Sequence, residues 1–592
     1  MKKTFGGGFA MFVKKNSCKN GRILLTMTHT YRENGKIKQK HLESLGYLDD
    51  LEKIYSDPIA HFREIAKART LEESRKSEPI KIEINPNTKL SESETGIKNL
   101  GYAVFEKLYH QLGIHTFFQR HENRLNIEFN LNSVFRLLVY SRIIDPGSKQ
   151  QAFDNQGQFF EPLAHSLESV YRSLDYFDRM NLDLQSWIGK EIQEIYGRSL
   201  DYAYYDVTNY FFEIDEEDSL RRNGPSKEHR PNPIVQMGLL LDSRGIPLSY
   251  HLFAGNQSEK LSLNPFIDQI QQDNHIGRMI VVADKGLNCG DNIAYQLARG
   301  NGYIYSQSIR GADQEFKDYV LEQTGYAKTG EHSQCKSRIY PKEISFTDKN
   351  KKKKKMRVDQ RQVVFFSQDY ADKARYERNR TIAKALRYLK SPAAYAKSLP
   401  YSAASYIKGI QISEDGEILD STTKLYLDEE KIREEEKYDG YYAIVSSELK
   451  LRDEEIIDIY HGLWKIEETF KISKSELRTR PIYVSQEAHV EAHFLTCFVA
   501  LVLIRILELK MNNAKLPDIR EGSSPGQVCS FSSFSLLESL RKYTFSHVSE
   551  NLYNFHHYDD NIRSIEKVFD ICLDKKYRTR GEIRKFIASM KK

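Results

Sequence analysis

Three acidic residues and a few rings and cations are the parts of this chain that could do chemistry together. Glu467 stands seven residues after Tyr460 and seven before Lys474, within the stretch DIYHGLWKIEETFKISKSELRTRP that runs from Asp458 to Pro481. An α-helix drifts only about 20° over seven residues, so a helix here carries a phenol, a carboxylate and an ammonium along one stripe. Ile466, Phe470 and Leu477 would pack that helix onto a core, with Leu463 at the edge. Glu468 lies about 100° round from Glu467, which makes Glu467 the candidate. Such a stripe suits a site that holds a metal ion and a phosphate together. Two aspartates complete the set. Asp206 sits in LDYAYYDVTNYFFEI, rich in β-formers, and Asp284 follows the buried strand pattern MIVVA. A carboxylate at the end of a buried strand is where open α/β sheets place their chemistry. Hard divalent cations take oxygen ligands. Two of them about 3.5–4 Å apart can activate the attacking oxygen and stabilise the leaving one in phosphodiester cleavage. Asp206 or Asp284 taken singly reads more readily as a turn or cap residue.

The elements that must position these groups follow from the pattern along the chain. Residues 1–95 form a small basic module. Arg22 to Leu45 reads as a hairpin turning at Asn34-Gly35, the strongest short-range signal for one. Arg32, Lys36, Lys38 and Lys40 cluster at its tip, where a basic ribbon can enter a DNA groove. A charged, solvated tip is the bland alternative. Residues 96–199 show helical periodicity. Residues 200–310 give three strands, helix, strand, helix, strand. Residues 311–440 interrupt this order with a β-rich insertion in which Lys351 to Lys355 form a tight positive loop. That loop is either a solvated tip or a phosphate-backbone contact through residues such as Lys351, Lys353 and Lys355. Residues 441–510 return to a strand and the Glu467 helix, and 511–592 read as helical.

YYDVTNYFF, VVADKGLN and YHGLWKIEETFKISKSELRTRP resemble the three blocks of the DDE transposases of bacterial insertion sequences, most closely the insertion sequence four superfamily. The last block of that superfamily reads Y, two residues, R, three residues, E, six residues, K; Tyr460, Glu467 and Lys474 match it. Leu463 stands where Arg is usual, so one phosphate contact falls to neighbouring Lys465. The basic N-terminal module resembles one branch of the group. The resemblance implies an α/β multidomain protein. Its core would be a ribonuclease-H-like mixed sheet, interrupted by the β-rich insertion and flanked by helical domains and the N-terminal hairpin module. It implies that Asp206, Asp284 and Glu467 bind two Mg²⁺ (or Mn²⁺) ions. The enzyme would bind terminal inverted repeats in double-stranded DNA, cut at the transposon ends and join the freed 3′-hydroxyl to target DNA, working as a homodimer. Tyr460 and Lys474 would hold phosphates, and Trp464 could stack on an unpaired base or lie in the core.

Composition sets bounds. At 592 residues the chain exceeds one core. The net charge of +6 is too mild to name a nucleic-acid partner by itself. Six scattered cysteines without zinc spacing favour free thiols in a reducing compartment. The apolar run Phe494 to Ile504 is too short to span a bilayer, and the start does not read as a signal peptide. A cytoplasmic protein is expected. Two competing readings remain: a structure-selective nuclease on the same fold, and a non-catalytic, domesticated DNA-binding protein.

Overall fold

The computed structural model describes residues 10–75 apart from 20, 34 and 35. It also describes 96–592 apart from 126, 162, 164, 165, 214, 215, 225–231, 265, 269–276, 349, 391–402, 404, 409–425, 519–525 and 550. The chain divides into two compact units, Met1–Glu92 and Ser93–Lys592.

In the first unit β1 (Ala10–Ser17), β2 (Ile23–Glu33) and β3 (Lys36–Tyr47) form an antiparallel sheet in that order. Glu33 pairs with Lys36, so the expected hairpin is present in its strands; the turn residues Asn34 and Gly35 lie outside the described residues. Beyond that expectation come β1, a short helix Leu48–Leu51, and the helix Pro58–Arg75, where the Met11 amide of β1 donates to the Thr70 hydroxyl at 3.0 Å.

The second unit opens with β4 (Ile97–Asn99) and a set of helices. Capping residues fix several starts: the Asn130 and Ser166 side chains accept from the amides of Ser133 and Ser169, as side-chain oxygens at helix N-termini do. The helix Tyr102–Gln111 buries a carboxylate, Glu106, completely. Arg136 grips Glu106 with two nitrogens at 2.6 and 3.2 Å, the Tyr140 hydroxyl donates to it at 2.6 Å, and His110 lies 3.2 Å away.

Next come β5 (Tyr202–Phe211), β6 (Ile234–Leu241) and β7 (Pro247–Ala254), an antiparallel meander. β8 (Ile280–Ala283) lies parallel to β5, and β9 (Gly302–Ser306) parallel to β8, with the helix Gly290–Ala298 between them in sequence. Of the expected helix after β7, Leu263, Asn264 and Phe266 to Asp268 are helical, and 265 and 269–272 lie outside the described residues. The insertion adds β10 (Ala327–Gly330) and two 15-residue strands, β11 (Ser333–Thr347) and β12 (Lys353–Ser367), then the helix Gln368–Lys390 and a short pair, β13 (Ile407–Lys408) with β14 (Tyr426–Leu427). β15 (Tyr441–Ser446) joins the two halves, pairing with β12 on one side and β9 on the other. The result is one nine-stranded sheet, β10-β11-β12-β15-β9-β8-β5-β6-β7. The insertion thus extends the sheet beyond β15.

The tail departs from the all-helical expectation. β16 (Thr544–Ser549), β17 (Leu552–Phe555) and β18 (Tyr577–Thr579) pair with β4 in a four-stranded sheet. Phe545, Tyr553 and Phe555 bury their rings together, the aromatic cross-strand packing that stabilises sheets. The Asn99 side chain also donates to the Leu540 carbonyl, 441 residues away in sequence. The helix Glu487–Asn513 is long and apolar enough to cross a membrane, yet 94% of its apolar window is buried inside the fold.

Candidate active site

The sheet has apolar packing on both faces, and side chains alternate between them. Tyr205 and Val207 of β5, Val281 and Ala283 of β8, and Tyr303 and Tyr305 of β9 belong to one core. Tyr204 and Tyr210, Val282, and Ile304 belong to the other. Asp206, Asp284 and Ser306 therefore share the second face. The registers carry them in the same direction. Tyr204 pairs with Val282 in parallel, the last pair between these strands, and Asp206 and Asp284 each follow it by two residues. Ala283 pairs with Tyr305, and one residue further on Asp284 stands beside Ser306. The Ser306 hydroxyl donates to Asp284 Oδ1 at 2.7 Å.

The chain that carries Glu467 crosses this same face. The Tyr204 hydroxyl donates to the Ile459 carbonyl at 3.1 Å, and the Tyr210 hydroxyl shares a 2.9 Å hydrogen bond with Ser473. Asp206 lies between these tyrosines on β5, and Glu467 lies between their partners on the opposing chain. The approach is close: a Cβ at Gly462 would lie 1.8 Å from the Tyr204 hydroxyl oxygen.

This stretch is not the single α-helix expected from 458 to 481. It comprises the helix Asp453–His461, a turn at Gly462–Leu463, the helix Trp464–Lys471 and one π-helical turn at Ile472–Glu476. The turn is tightened by bonds between residues three apart, Lys465 to Gly462 and Ile466 to Leu463. π-turns inside helices occur often at functional sites. The seven-residue stripe is re-phased as a result. Tyr460 is buried and bonds to the Tyr442 hydroxyl at 2.8 Å, Glu467 is exposed, and the Lys474 ammonium lies 5.5 Å from the centre of the Tyr210 ring.

Glu467, Tyr460, Ser306 and Lys285 line one cavity of about 630 Å³. Its wall is aromatic and basic, with Tyr370, Tyr442 and Trp464 beside Arg310 and Lys373. Trp464 is 55% exposed, which removes the core alternative. Leu463 is buried and also lines the cavity. Lys465 does not line it; its ammonium donates to the Ser243 carbonyl at 2.7 Å, in the turn between β6 and β7. Glu468 is tied to Arg505 at 3.0 Å, which separates its role from that of Glu467.

The other basic candidates lie elsewhere. Lys351, Lys353 and Lys355 are exposed at the tip of the β11–β12 hairpin, where Lys355 reaches Glu343 at 2.7 Å and Lys354 reaches Asp348 at 3.0 Å. Lys38 is exposed on β3; the side chains of Arg32 and Lys36 lie outside the described residues. Among the described residues, the ligand atoms of Glu566, Cys572 and Asp574 lie within 4.8 Å of one another. Glu566 already accepts the Asp574 amide at 2.9 Å, so this group serves a turn. Asp206, Asp284 and Glu467 do not meet that spacing, so they are more widely set than a cage for one ion. Two ions about 3.5–4 Å apart would themselves spread their ligands.

Two family models match the chain. The N-terminal domain of the IS1634 family transposases matches residues 13–79, and the transposase DDE domain matches residues 218–503. The second span includes Asp284 and Glu467; Asp206 lies just before it. No curated protein matches the chain. The chain belongs to the DDE transposases of insertion sequences.

Proposed function

We propose that this transposase cuts DNA at the ends of its element and joins the freed 3′-hydroxyl to target DNA, with Asp206, Asp284 and Glu467 holding two Mg²⁺ or Mn²⁺ ions. The observation that supports the reading is that Asp206 and Asp284 each follow the last β5–β8 pair by two residues, on the sheet face that the chain bearing Glu467 crosses. The donors are carboxylate oxygens, the chemistry that hard divalent ions take. When bound, the ions would supply an activated water and charge neutralisation at the phosphate. The strand order β7-β6-β5-β8-β9, an antiparallel meander followed by two strands parallel to its first, supports a ribonuclease-H-like core.

The chain's own groups would position the DNA. Trp464 presents an exposed ring at the cavity mouth, suited to stacking on an unpaired base, and Lys474 supplies charge on the same side of the sheet. Trp464→Ala is expected to weaken binding of an end bearing an unpaired base by roughly 1–3 kcal/mol, the usual contribution of one stacked base. Fluorescence anisotropy with blunt and frayed ends measures it; equal affinities for wild type and variant would remove the stacking role. The N-terminal unit, with Arg32, Lys36 and Lys38, is assigned to the terminal repeats, and pairing of two ends would use a homodimer.

Neutralising Lys351, Lys353 and Lys355 to Gln is expected to reduce the slope of log affinity against log salt. The reduction would be up to about 0.9 for each DNA phosphate that these lysines neutralise. An unchanged slope would make the hairpin tip a solvated surface. The activity itself is tested by incubating labelled end DNA with a plasmid. Joined product supports transposition, and cleavage without joining would favour a nuclease.

A further inference from the structure

We propose that the exposed face of the insertion helix Gln368–Lys390 is a DNA track, which grips the phosphates of the duplex lying beyond the end of the element. The inference rests on the reading of the protein as an enzyme that cuts DNA at that end.

The helix is held by one face and turns the other to solvent. Ala371, Arg378 and Ala385 recur every seven residues and are buried. Arg378 grips Asp439 at 2.6 and 2.5 Å and Glu436 at 3.2 Å, and Ala385 packs with Tyr406 and Ile407. Lys373, Arg380 and Arg387 each follow one of these buried residues by two positions, about 200° round the helix. All three are exposed. Being seven apart, they form one stripe. Lys384 is exposed beside it, about 40° from Arg380.

The charge on this stripe has no partner within the protein. Asp369, Asp372 and Glu377 all lie in the first half of the helix, where Asp372 is engaged by Gln368 and Arg375. From Arg378 to Lys390 there is no acid. Among the described residues, no carboxylate is ion-paired with Lys373, Arg380, Lys384 or Arg387. Lys354 and Lys355 at the hairpin tip, by contrast, are paired with Asp348 and Glu343. Arg380 and Lys384 stand four apart, and Lys384 and Arg387 three apart, spacings at which like charges repel. A polyanion laid along the stripe relieves that repulsion.

The stripe begins at the candidate active site. Lys373 and Tyr370 line the same cavity as Glu467 and Trp464. From Lys373 the helix continues for about 21 Å to Arg387, the length of roughly six base pairs. A duplex whose cut phosphate sits at Glu467 thus meets a row of cations as it leaves the cavity. Contacts from lysine and arginine to phosphates fix position and carry no sequence information. That suits the DNA outside the element, which changes with each insertion, better than the terminal repeats, whose sequence is constant.

The test uses the full chain and fluorescein-labelled end duplexes carrying either no flank or about ten base pairs of flank. Anisotropy is measured without divalent ions over a range of salt. Wild type is expected to bind the flanked duplex more tightly. The triple variant Arg380→Gln, Lys384→Gln, Arg387→Gln is expected to lose that advantage while its affinity for the flankless end stays within about twofold. On flanked DNA its slope of log affinity against log salt should fall by up to about 0.9 for each phosphate these residues neutralise. Circular dichroism melts check the fold, and Arg380→Gln alone should lower the slope by up to about 0.9. Wild-type affinity and slope in the triple variant would overturn the track. An equal loss on both duplexes would place the contact on the element side and overturn the flank assignment. Cleavage of the flanked duplex with Mn²⁺ separates the two readings. If wild type shows the flank-dependent affinity and does not cut, the reaction assigned to the protein fails and the track stands. If it cuts and the triple variant keeps its flank affinity, the track alone fails.

Discussion

Asp206→Asn, Asp284→Asn and Glu467→Gln are each expected to lower DNA cleavage at least about a thousandfold, a loss of roughly 4 kcal/mol of transition-state stabilisation, while end-DNA binding persists. Each change keeps the side chain's shape and removes one negative charge. Repulsion of the DNA backbone can only fall, so lost binding cannot explain lost cleavage. Glu468→Gln is the internal control. Glu468 adjoins Glu467 in sequence but pairs with Arg505, which also holds Glu508 at 2.7 Å. Its loss should leave cleavage within a fewfold. Gel assays of cleavage beside anisotropy of binding make the comparison. Substantial residual cleavage by any of the three variants would count against the assignment, as would full turnover in excess EDTA.

Glu106→Gln is expected to destabilise the protein by about 3–5 kcal/mol, the usual cost of leaving one charge of a buried pair without its partner. Burial on its own would raise the Glu106 pKa. His110, Arg136 and Tyr140 outweigh it and hold the carboxyl down to about 2. Its folded value lies below the unfolded value of 4.5. The stabilisation is therefore fully present above pH 4.5 and is lost as pH falls towards 2. The Gln variant should be weaker at neutral pH and should lose part of the wild type's acid sensitivity. Urea unfolding at several pH values between about 2 and 6 measures both effects. A variant as stable as wild type at neutral pH would mean that Arg136 finds another partner.

How much of this was legible in the sequence depends on the distance over which each feature is set. Asp284 could be singled out because a short apolar run ending in a carboxylate is a local pattern, and Asp206 because it sits within a stretch rich in β-formers. The hairpin in the first unit was readable from two residues. The break at Gly462–Leu463 was not, because Gly462 looks like an ordinary helical residue until Tyr204 is packed against it. Ser306 and Tyr442 carried no signal of their own. Each is one polar residue in a strand, and only adjacent β8, β9 and β15 bring them to Asp284 and Tyr460. Glu106 resembles any solvated helical acid, since Arg136 and Tyr140 come from another helix. The tail strands were hidden because Thr544–Ser549 and Leu552–Phe555 are short and flanked by strong helical patterns, while one partner, Ile97–Asn99, comes from the other end of the unit.

That last pairing bears on how the enzyme is made. The Leu540 carbonyl that receives the Asn99 side chain is synthesised 441 residues later. At about 5–20 residues per second, the ribosome needs on the order of half a minute or more to supply it. Until then the nascent polypeptide lacks the closing sheet over its early helices. A message cut short before Thr544 would yield a chain with β4 unpaired. Closure of this sheet thus waits on nearly complete translation.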